Sequence, residues 1–342
     1  MTMPTASNPT ALLRTTGDPD VLTLADAPPP RLGAGQVVVR NHAAGVNAID
    51  LLIRSGALPP AVMPALPHVL GVEGAGVVEA VAPDVTGLAV GDRVLWFGTL
   101  GSGGYGALSA IDARYVARVG EGVGMAQAAA SPVIYTTALH MLEDYRTLAA
   151  GDWVLVRSAA GGVGVAALQL CRLLGLRAIA VTTTGKLDYV RSQGATAAID
   201  YLAGDVAAQV RALVGEEGVA LALNPVGGAT VAADLALLQA RGQVVIFGFL
   251  GGLPEGTFAE ALVPHFNRSV GVHVSDIYTF YQADPAGTAA RLAWIAAAIA
   301  DGRLEPPVGA MFGLSDAGEA HRALEGGSAR GKLVLLHPGA EA

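Results

Sequence analysis

A glycine-rich segment, Ser158-Ala159-Ala160-Gly161-Gly162-Val163-Gly164, stands directly between an apolar strand pattern and a helical pattern. It fits the dinucleotide-binding fingerprint, with Ala159 at the first glycine position, Gly161 at the second and Gly164 at the third. The second glycine lets the backbone approach a pyrophosphate, and the helix N-terminus offers N–H groups to that anion. The sequence therefore predicts dinucleotide contacts at Ser158, Ala160, Gly161, Gly162, Val163 and Gly164.

The residues after the next predicted strand indicate which dinucleotide is bound. Enzymes that use NAD place Asp or Glu about 20 residues after the glycines, where the carboxylate binds the ribose hydroxyls. This chain has Thr182-Thr183-Thr184-Gly185-Lys186 there. Hydroxyls and an ammonium suit a 2′-phosphate, which a carboxylate would repel. We therefore predict that NADPH is the cofactor, with contacts from Thr182, Thr183 and Lys186.

The elements that position this loop form a regular alternation from about residue 126 onward. A strand at 153–157 and a helix at 163–174 flank the loop. Further strands are predicted at 177–181, 197–201, 219–223, 243–249 and 270–274, and further helices at 186–193, 205–214 and 230–240. Such alternation is typical of βαβ units around a parallel sheet. We predict a doubly wound Rossmann domain, with 270–274 as an edge strand.

The chain before residue 125 has a different pattern. Short β-rich runs at 36–40, 76–81 and 92–96 are separated by Gly, Pro and Asp turn signals, which favours an antiparallel, partly barrel-like domain. A helix at 287–300 and a strand at 332–336 are too little to bury a core of their own, so the tail is expected to return to this domain. The predicted domains are 1–125 with 277–342, and 126–276.

The composition excludes several classes of protein. Of the 342 residues, 52% are apolar and 15% charged, and the net charge is −8. An acidic chain without a basic block disfavours nucleic acids and anionic membranes as partners. The longest apolar run, 292–300, is about half of the ~20 residues that span a bilayer. A polar start without a signal-peptide pattern and a single cysteine, Cys171, lead us to expect a cytoplasmic protein.

Four motifs in the first domain carry a family resemblance. They are Gly-Val-Asn-Ala-Ile-Asp at 45–50, Arg-Ser-Gly at 54–56, Gly-Val-Glu-Gly-Ala-Gly-Val-Val at 71–78 and Val-Gly-Asp-Arg-Val at 90–94. In this order they resemble the medium-chain dehydrogenase/reductase superfamily, most of all its zinc-independent quinone oxidoreductase branch. The resemblance implies an α/β protein with a GroES-like, mostly antiparallel β catalytic domain and a Rossmann domain. It also implies an active-site cleft where the two domains meet, and a homodimer.

The resemblance also predicts that the site holds no metal. Alcohol dehydrogenases of the superfamily have a cysteine where this chain has Asn47, and a histidine where it has Val72. Their structural zinc lobe carries four cysteines, whereas the corresponding residues 95–109 contain none. Valine cannot ligate a metal, and a catalytic zinc normally needs three protein ligands. The histidines of this chain show no ligand spacing.

Three catalytic residues follow from the resemblance, which places Asn47 and Asp50 in the active site and Thr137 beside the nicotinamide. The Asn47 amide is predicted to donate a hydrogen bond to the acceptor oxygen and stabilise its negative charge. For Asp50, a role as a helix cap or an ion-pair partner remains open. Glu73 resembles a residue that orders the cleft in relatives without zinc.

Further cofactor contacts are implied at Tyr201, Asn224, Phe247, Phe249 and Lys332. Tyr201 matches a tyrosine that joins Lys186 at the 2′-phosphate, and Asn224 stands where the family commonly has aspartate. The two phenylalanines flank a strand end that approaches the nicotinamide carboxamide, with ordinary core packing as the alternative. The family places an arginine before its last strand, and Lys332 or Arg330 is predicted to replace it at the phosphate.

One departure from the family concerns the proton. Many quinone reductases have a tyrosine two residues after the motif aspartate, where this chain has Leu52. The proton must then come from solvent, from a cofactor hydroxyl or from another residue, with Tyr105 and Tyr135 as candidates.

Without zinc to polarise an oxygen, oxidation of a simple alcohol is hard. A quinone or an α,β-unsaturated carbonyl already delocalises the charge that arrives with a hydride. We therefore predict an NADPH-dependent reductase of a small-molecule quinone. A reductase of enones or 2-alkenals, including a stand-alone enoyl reductase, is the first alternative, and Leu52 favours it. A non-catalytic nucleotide-binding protein is the second.

Overall fold

The computed structural model describes residues 7–252 and 258–339. The chain divides into two compact units. The first unit contains the residues up to Thr136 and those from Phe280 onward, and the second unit is Thr137–Thr279. The sequence prediction placed these limits at 125/126 and 276/277.

The described residues up to Glu143 form mainly short strands and three α-helices. The strands are β1 (Pro9–Leu13), β2 (Leu22–Asp26), β3 (Gln36–Gly45), β4 (His68–Val69), β5 (Glu73–Val81), β6 (Arg93–Phe97), β7 (Leu108–Asp112) and β8 (Val116–Arg118). The helices are α1 (Ala48–Ser55), α2 (Met125–Ala129) and α3 (Pro132–Glu143), the last of which continues into the second unit.

Strands and helices then alternate through the second unit. The strands are β9 (Trp153–Arg157), β10 (Arg177–Thr182), β11 (Ala197–Asp200), β12 (Val219–Asn224), β13 (Leu238–Ile246) and β14 (Gly271–Val274). The helices are α4 (Gly162–Leu173), α5 (Leu187–Ser192), α6 (Val206–Val214), α7 (Thr230–Leu237) and α8 (Phe258–Leu262).

The tail contains more structure than the sequence predicted. Helix α9 (Ile277–Ala283) contains the point in the chain, after Thr279, where the second unit ends. Helix α10 (Pro285–Ala300) contains the predicted helix. They are followed by β15 (Val308–Gly313), α11 (Ala317–Glu325) and β16 (Lys332–Leu336). Strand β15 escaped prediction because it contains two glycines and none of its residues is fully buried, so its hydrophobic pattern is weak.

The sheets of the first unit confirm the predicted GroES-like architecture. The larger sheet has the order β15-β16-β3-β5-β6-β8, with β7 also paired to β3, and a smaller sheet has the order β2-β1-β4. All of these pairs are antiparallel except β15 with β16. The tail strand β16 pairs directly with β3, so both ends of the chain build one sheet.

The sheet of the second unit confirms the predicted doubly wound fold. Its strands run parallel in the order β11-β10-β9-β12-β13-β14. The direction of winding reverses between β9 and β12, and ligands of such sheets bind outside the carboxyl ends of the strands at that point. The apolar side chains of β9, β10 and β12 are almost fully buried, as expected of a sheet covered on both faces.

One predicted helix was too long. The sequence predicted helix over 230–240, whereas α7 ends at Leu237 and Leu238 already pairs with Val219 as the start of β13. Leu237 and Leu238 are both buried. An apolar run at this place is therefore compatible with the end of a helix and with the start of a strand. No helix in the described parts of the chain is long and apolar enough to cross a membrane.

Candidate functional site

The glycine-rich loop lies at the reversal point of the parallel sheet. It leaves β9 at Ser158, whose φ of 52° is in the left-handed region, and Gly161 is the residue before helix α4. The first backbone bond of the helix runs from the Val165 N–H to the Gly161 carbonyl, so the N–H groups of the first turn have no partner within the helix. These groups are the ones that a pyrophosphate would accept from.

Gly164 is needed for the close packing of this loop. A Cβ atom at Gly164 would lie 2.6 Å from the Ala159 Cα and from the Ser158 carbonyl oxygen. A side chain there would push helix α4 away from strand β9. The loop therefore meets the steric requirement of the fingerprint although Ala159 replaces its first glycine, and its geometry fits a dinucleotide.

Two predicted contacts, Asn224 and Phe247, lie together at the ends of the neighbouring strands β12 and β13. The Phe247 N–H donates to the Asn224 carbonyl at 3.1 Å. Phe249 is 46% exposed and Phe247 is half-buried, so neither ring belongs to the core of the unit. The chain turns back after them, where the Leu250 N–H donates to the Pro225 carbonyl at 3.1 Å. These rings remain available for a ligand.

The Asn224 side chain has a structural role that the sequence did not indicate. Its Nδ2 donates to Thr230 Oγ1 at 2.9 Å and to Asp234 Oδ2 at 2.6 Å, and its Oδ1 accepts the Val226 and Gly227 N–H groups. Both amide hydrogens are therefore used within the unit. Asn224 thus holds the turn that follows β12, and its side-chain contact to the cofactor stays a prediction.

Asp234 anchors this turn to the strand before the glycine-rich loop. Its carboxylate is fully buried and forms a salt bridge of 2.7 Å with Arg157, which is the last residue of β9. Burial raises the pKa of Asp234, and the Arg157 guanidinium and the Asn224 amide oppose that rise. The chain Arg157–Asp234–Asn224 thus connects the two strands that flank the reversal point.

The end of strand β10 carries the residues predicted to bind a 2′-phosphate. Thr182 is buried, Thr183 precedes a short 3-10 turn, and Lys186 ends that turn with its side chain half-buried. Tyr201, predicted to join them, is 51% exposed, and its N–H donates to the Thr182 carbonyl. The structure therefore brings Tyr201 and the residues after β10 to one edge of the sheet.

A carboxylate that sequence reasoning overlooked lies at the same edge. Asp200 ends strand β11, and its carboxylate accepts hydrogen bonds from the Thr184 hydroxyl and, at 2.8 Å, from the Leu202 N–H. These bonds hold the pKa of Asp200 below its ordinary value, so the group is ionised at neutral pH. The signal in the sequence is its place beside Tyr201, whereas the dinucleotide fingerprint has its acid at the end of the second strand, which is β10 here.

Thr137 lies on helix α3 and is 6% exposed. Its Oγ1 is buried without a hydrogen-bond partner among the described residues. A buried hydroxyl without a partner costs free energy unless a ligand or water completes it. This orphaned hydroxyl fits the predicted place beside a nicotinamide, which carries hydrogen-bonding groups on its ring.

In the first unit, the sheet register brings three charged or polar side chains together. Strand β3 lies between β5 and β16, where Ala44 pairs with Gly74 and Gly45 pairs with Val334. Glu73 on β5 and Lys332 on β16 therefore flank the end of β3. Lys332 Nζ lies 2.6 Å from Glu73 Oε1, and both side chains are at least 95% buried.

Asn47 completes this cluster. Its Nδ2 donates to Glu73 Oε1 at 2.8 Å and to the Gly45 carbonyl at 3.3 Å, while its Oδ1 accepts a hydrogen bond from Lys332 Nζ. Both amide hydrogens are committed to the protein. The hydrogen bond from the Asn47 amide to an acceptor oxygen stays a prediction, and it would require one of these two bonds to break.

Asp50 is a helix cap, which was the alternative left open by the sequence. At the third position of α1 it accepts the Asn47 N–H at 2.9 Å, and its other oxygen accepts the Gly71 N–H at 3.0 Å. Complete burial raises the pKa of Asp50 to about 7, against the lowering effect of these two backbone bonds. The group is therefore partly protonated near neutral pH.

Tyr105 joins Asp50 to a histidine that the sequence did not single out. The Tyr105 hydroxyl lies 3.0 Å from His321 Nε2 and 3.4 Å from Asp50 Oδ2, and the ring is fully buried. Burial and the charge of Arg54 lower the pKa of His321 to about 3, so its imidazole is neutral. Burial and the nearby carboxylate raise the pKa of Tyr105 well above its ordinary value. Tyr105 is thus a poor proton donor here.

Lys332, which the sequence predicts at a phosphate, is buried in the first unit, where its ammonium contacts Glu73 and Asn47. The phosphate contact itself stays a prediction. Within the described parts of the chain, no group of three or more His, Cys, Asp or Glu side chains could hold a metal ion. Val72, which replaces a histidine of alcohol dehydrogenases, is fully buried.

Two family models match this chain. The model of the alcohol dehydrogenase GroES-like domain covers residues 33–131, and the model of the zinc-binding dehydrogenase covers residues 193–335. The first match lies in the antiparallel unit. The second begins in the parallel sheet and extends through strand β16.

The curated relatives fall into two groups by length. The pikromycin polyketide synthase component PikAII of Streptomyces venezuelae is 36% identical over 323 residues, which are 93% of this chain but only 8% of that protein. The quinone oxidoreductase of Homo sapiens is 31% identical over 326 residues, which cover 94% of this chain and 95% of that protein. This chain is therefore similar to a small part of the first protein and to nearly all of the second.

A solved structure gives the same correspondence in three dimensions. The crystal structure of Escherichia coli quinone oxidoreductase complexed with NADPH matches this chain with a TM-score of 0.85 and 29% sequence identity. The match covers 96% of this chain and 99% of that one.

Proposed function

Because this chain belongs to the zinc-independent quinone oxidoreductase branch of the medium-chain dehydrogenase/reductase superfamily, we propose that it reduces a quinone with NADPH. The observation that carries this proposal is the glycine-rich loop at the reversal point of the parallel sheet. The N–H groups of the first turn of α4, which have no partner within the helix, and the close approach at Gly164 suit the pyrophosphate of a dinucleotide.

The choice of NADPH is supported by the edge formed after β10. Lys186 supplies a cation and the threonines supply hydroxyls there, and the Escherichia coli relative is complexed with NADPH. Asp200 places a negative charge at the same edge, but both of its oxygens are occupied by hydrogen bonds from Thr184 and Leu202. We infer that Asp200 moderates the preference for NADPH without abolishing it.

The choice of acceptor follows from the chemistry of the first unit. The Asn47, Glu73 and Lys332 side chains occupy the region where the family resemblance would place a metal in alcohol dehydrogenases. A quinone needs no metal, because its ring delocalises the charge that arrives with a hydride. The bound dinucleotide would supply the hydride. Stoichiometric zinc in the purified protein would contradict this part of the proposal.

A reductase of α,β-unsaturated carbonyls is the second candidate. Leu52, 42% exposed on helix α1, stands where many quinone reductases have tyrosine and would favour an aliphatic substrate. The similarity to the polyketide synthase component supports the same candidate. A non-catalytic nucleotide-binding protein is the remaining alternative.

The test measures NADPH consumption with 1,4-benzoquinone, 9,10-phenanthrenequinone and a 2-alkenal in parallel. Faster turnover of the two quinones supports the first proposal, and faster turnover of the 2-alkenal supports the second. If NADPH binds but none of these acceptors oxidises it, both enzymatic proposals fail and the non-catalytic alternative stands.

We further propose that the protein is cytoplasmic and acts as a homodimer without nucleic-acid or membrane partners. Strand β14 lies at one edge of the parallel sheet as described, and Val274 at its end is 69% exposed. An open strand edge offers N–H and C=O groups to a second copy of the chain.

A further inference from the structure

We propose that the dinucleotide site accepts NADH as a second cofactor, with the Asp200 carboxylate receiving a hydrogen bond from the 2′-hydroxyl of the adenosine ribose. Asp200 then does more than weaken the preference for NADPH, because it gives the unphosphorylated dinucleotide a contact of its own. The inference rests on the proposed function, since it concerns the dinucleotide that supplies the hydride. All of the residues involved lie in the second unit.

The register of the parallel sheet brings this carboxylate close to the position of the acid in NAD enzymes. Those enzymes carry the acid at the end of the second strand of the fold, where this chain has Thr182 at the end of β10. Asp200 pairs with Thr182 as the last residue of β11, and the Tyr201 N–H donates to the Thr182 carbonyl at 3.1 Å. Neighbouring strands lie about 4.8 Å apart. An acid on the adjacent strand therefore lies one strand spacing from that position.

The Asp200 side chain reaches the residues that follow β10. Its carboxylate accepts the hydroxyl of Thr184, which stands about 20 residues after the glycine-rich loop, as the acid of NAD enzymes does. Asp200 itself is 7% exposed, whereas Thr184 and Leu202, which both donate to its carboxylate, are exposed. The carboxylate thus lies directly beneath surface residues at the carboxyl ends of the strands, where ligands of such sheets bind.

The carboxylate can accept a further donor. An ionised carboxylate has about four acceptor positions. The described residues supply the Leu202 N–H, the Thr184 hydroxyl and the Thr184 N–H. These bonds lower the pKa of Asp200, the Thr184 hydroxyl most of all, and none of the three donors is a cation. A ribose hydroxyl can therefore donate to this negative charge without displacing a partner.

The same edge of the sheet also suits a 2′-phosphate. Lys186 ends the 3-10 turn that begins at Thr184, so a cation and the Asp200 carboxylate belong to one small part of the surface. A phosphate is attracted by the cation and repelled by the carboxylate, whereas a neutral hydroxyl donates to the carboxylate without repulsion. Each form of the dinucleotide therefore has one favourable partner, which predicts a moderate preference and not an exclusive one.

Asp200 also has a role in the turn that follows β11, and this role must be separated from cofactor binding. Its carboxylate accepts the Leu202 N–H at 2.8 Å, and its carbonyl accepts the Ala203 N–H at 3.2 Å. Asparagine makes the same side-chain bond in such turns. A role in the turn alone predicts equal effects on ligands that differ only at the 2′-position.

The test measures dissociation constants by fluorescence titration with NADH, with NADPH and with NADH that lacks the 2′-hydroxyl of the adenosine ribose. We expect the wild type to bind NADH about tenfold more tightly than the 2′-deoxy analogue, as for a hydrogen bond to a charged group. In Asp200→Asn this ratio should fall to about twofold or less, because asparagine keeps the turn and loses the charge. NADPH should bind the variant severalfold more tightly, since the repulsion is removed.

The control is Asp152→Asn. Asp152 accepts the Ala149 N–H at 2.9 Å, and it precedes β9 at the amino end of the same sheet. This variant should keep the wild-type affinities for all three ligands. If Asp200→Asn does not fold, Asp200→Ser keeps an oxygen for the turn and must show the same fall in the ratio.

Two binding results would overturn the inference. In the first, Asp200→Asn loses affinity equally for NADH and for its 2′-deoxy analogue, which leaves Asp200 as a residue of the turn alone. In the second, the wild type binds NADH no more tightly than the 2′-deoxy analogue, so the hydroxyl has no partner.

Turnover with one quinone then shows whether bound NADH is productive. At saturation, kcat with NADH should lie within about threefold of kcat with NADPH, because a contact that is equal in the ground state and the transition state changes KM and not kcat. Turnover with NADPH but none with saturating NADH would overturn NADH as a cofactor. If both dinucleotides bind as expected and neither reduces an acceptor, the proposed function has failed and the ribose contact stands.

Discussion

The ammonium of Lys332 and the carboxylate of Glu73 meet at 2.6 Å across the end of strand β3, although the two residues are far apart in the chain. Glu73 also accepts the Val133 N–H at 2.8 Å, in the first turn of helix α3. One buried carboxylate therefore connects the tail strand, Asn47 and a helix N-terminus. Any change in this contact is expected to affect the packing of these elements around it.

Asp50 should make stability depend on pH. Burial raises its pKa from 3.8 to about 7, so the folded state binds this proton more tightly than the unfolded chain does between these values. The resulting stabilisation is full below pH 3.8 and is lost as the pH rises to about 7. Relative to Asp50→Asn, the wild type should lose on the order of 2 kcal/mol between pH 5 and pH 8.

The measurement is urea denaturation of both proteins at several pH values within that range. The expected result is a wild-type midpoint that falls relative to the midpoint of the variant as the pH rises. Parallel pH profiles for the two proteins would show that Asp50 does not titrate between pH 5 and pH 8.

The cofactor preference should respond in opposite directions to two charge changes at the same edge of the sheet. Lys186→Ala is expected to raise the KM for NADPH at least tenfold while the KM for NADH changes little, because only NADPH carries a 2′-phosphate. Asp200→Asn removes an ionised carboxylate from this edge and should lower the KM for NADPH severalfold.

Steady-state kinetics with both cofactors and one quinone provide the measurement. Arg114→Ala, which removes an exposed ion pair with Asp112 in the first unit, serves as the control. Equal changes for NADPH and NADH in Lys186→Ala would remove Lys186 from the phosphate site.

We expect the Asn224 side chain to stabilise the folded state and to contribute little to cofactor binding. Asn224→Ala leaves the N–H groups of Val226 and Gly227 and part of the Asp234 carboxylate without partners. Such losses cost about 1–3 kcal/mol for a buried group. We expect urea denaturation to show this destabilisation and NADPH titration to show little change. A strong loss of affinity without loss of stability would restore the predicted cofactor contact.

The edge strand β14 should carry the proposed dimer. Sedimentation of the wild type should give twice the chain mass of 34.5 kDa, and Val274→Glu should shift the protein toward the monomer, because the charge would lie in the interface. Met311→Glu is a matched control, since Met311 is 50% exposed on β15, at the edge of the other sheet. A monomeric wild type at micromolar concentration would contradict the dimer.

Much of the fold could be predicted from local patterns. The alternation after residue 126 identified the parallel sheet, because strands covered on both faces read as apolar runs such as Trp153–Arg157. The glycine spacing identified the loop before α4. The limits of elements were less certain, as at Leu238, where an apolar run fits both a helix end and a strand start.

What the sequence by itself determined is the class of the protein and the dinucleotide loop, since both depend on residues that are close together in the chain. The hydrogen-bond and ion-pair partners of Asn47, Asp50, Asn224 and Lys332 were decided only by tertiary structure. A side chain's role depends on which donors and acceptors remain free, and these partners come from distant strands. The pairing of β16 with β3 makes Lys332 the buried partner of Glu73, a contact that the sequence does not predict.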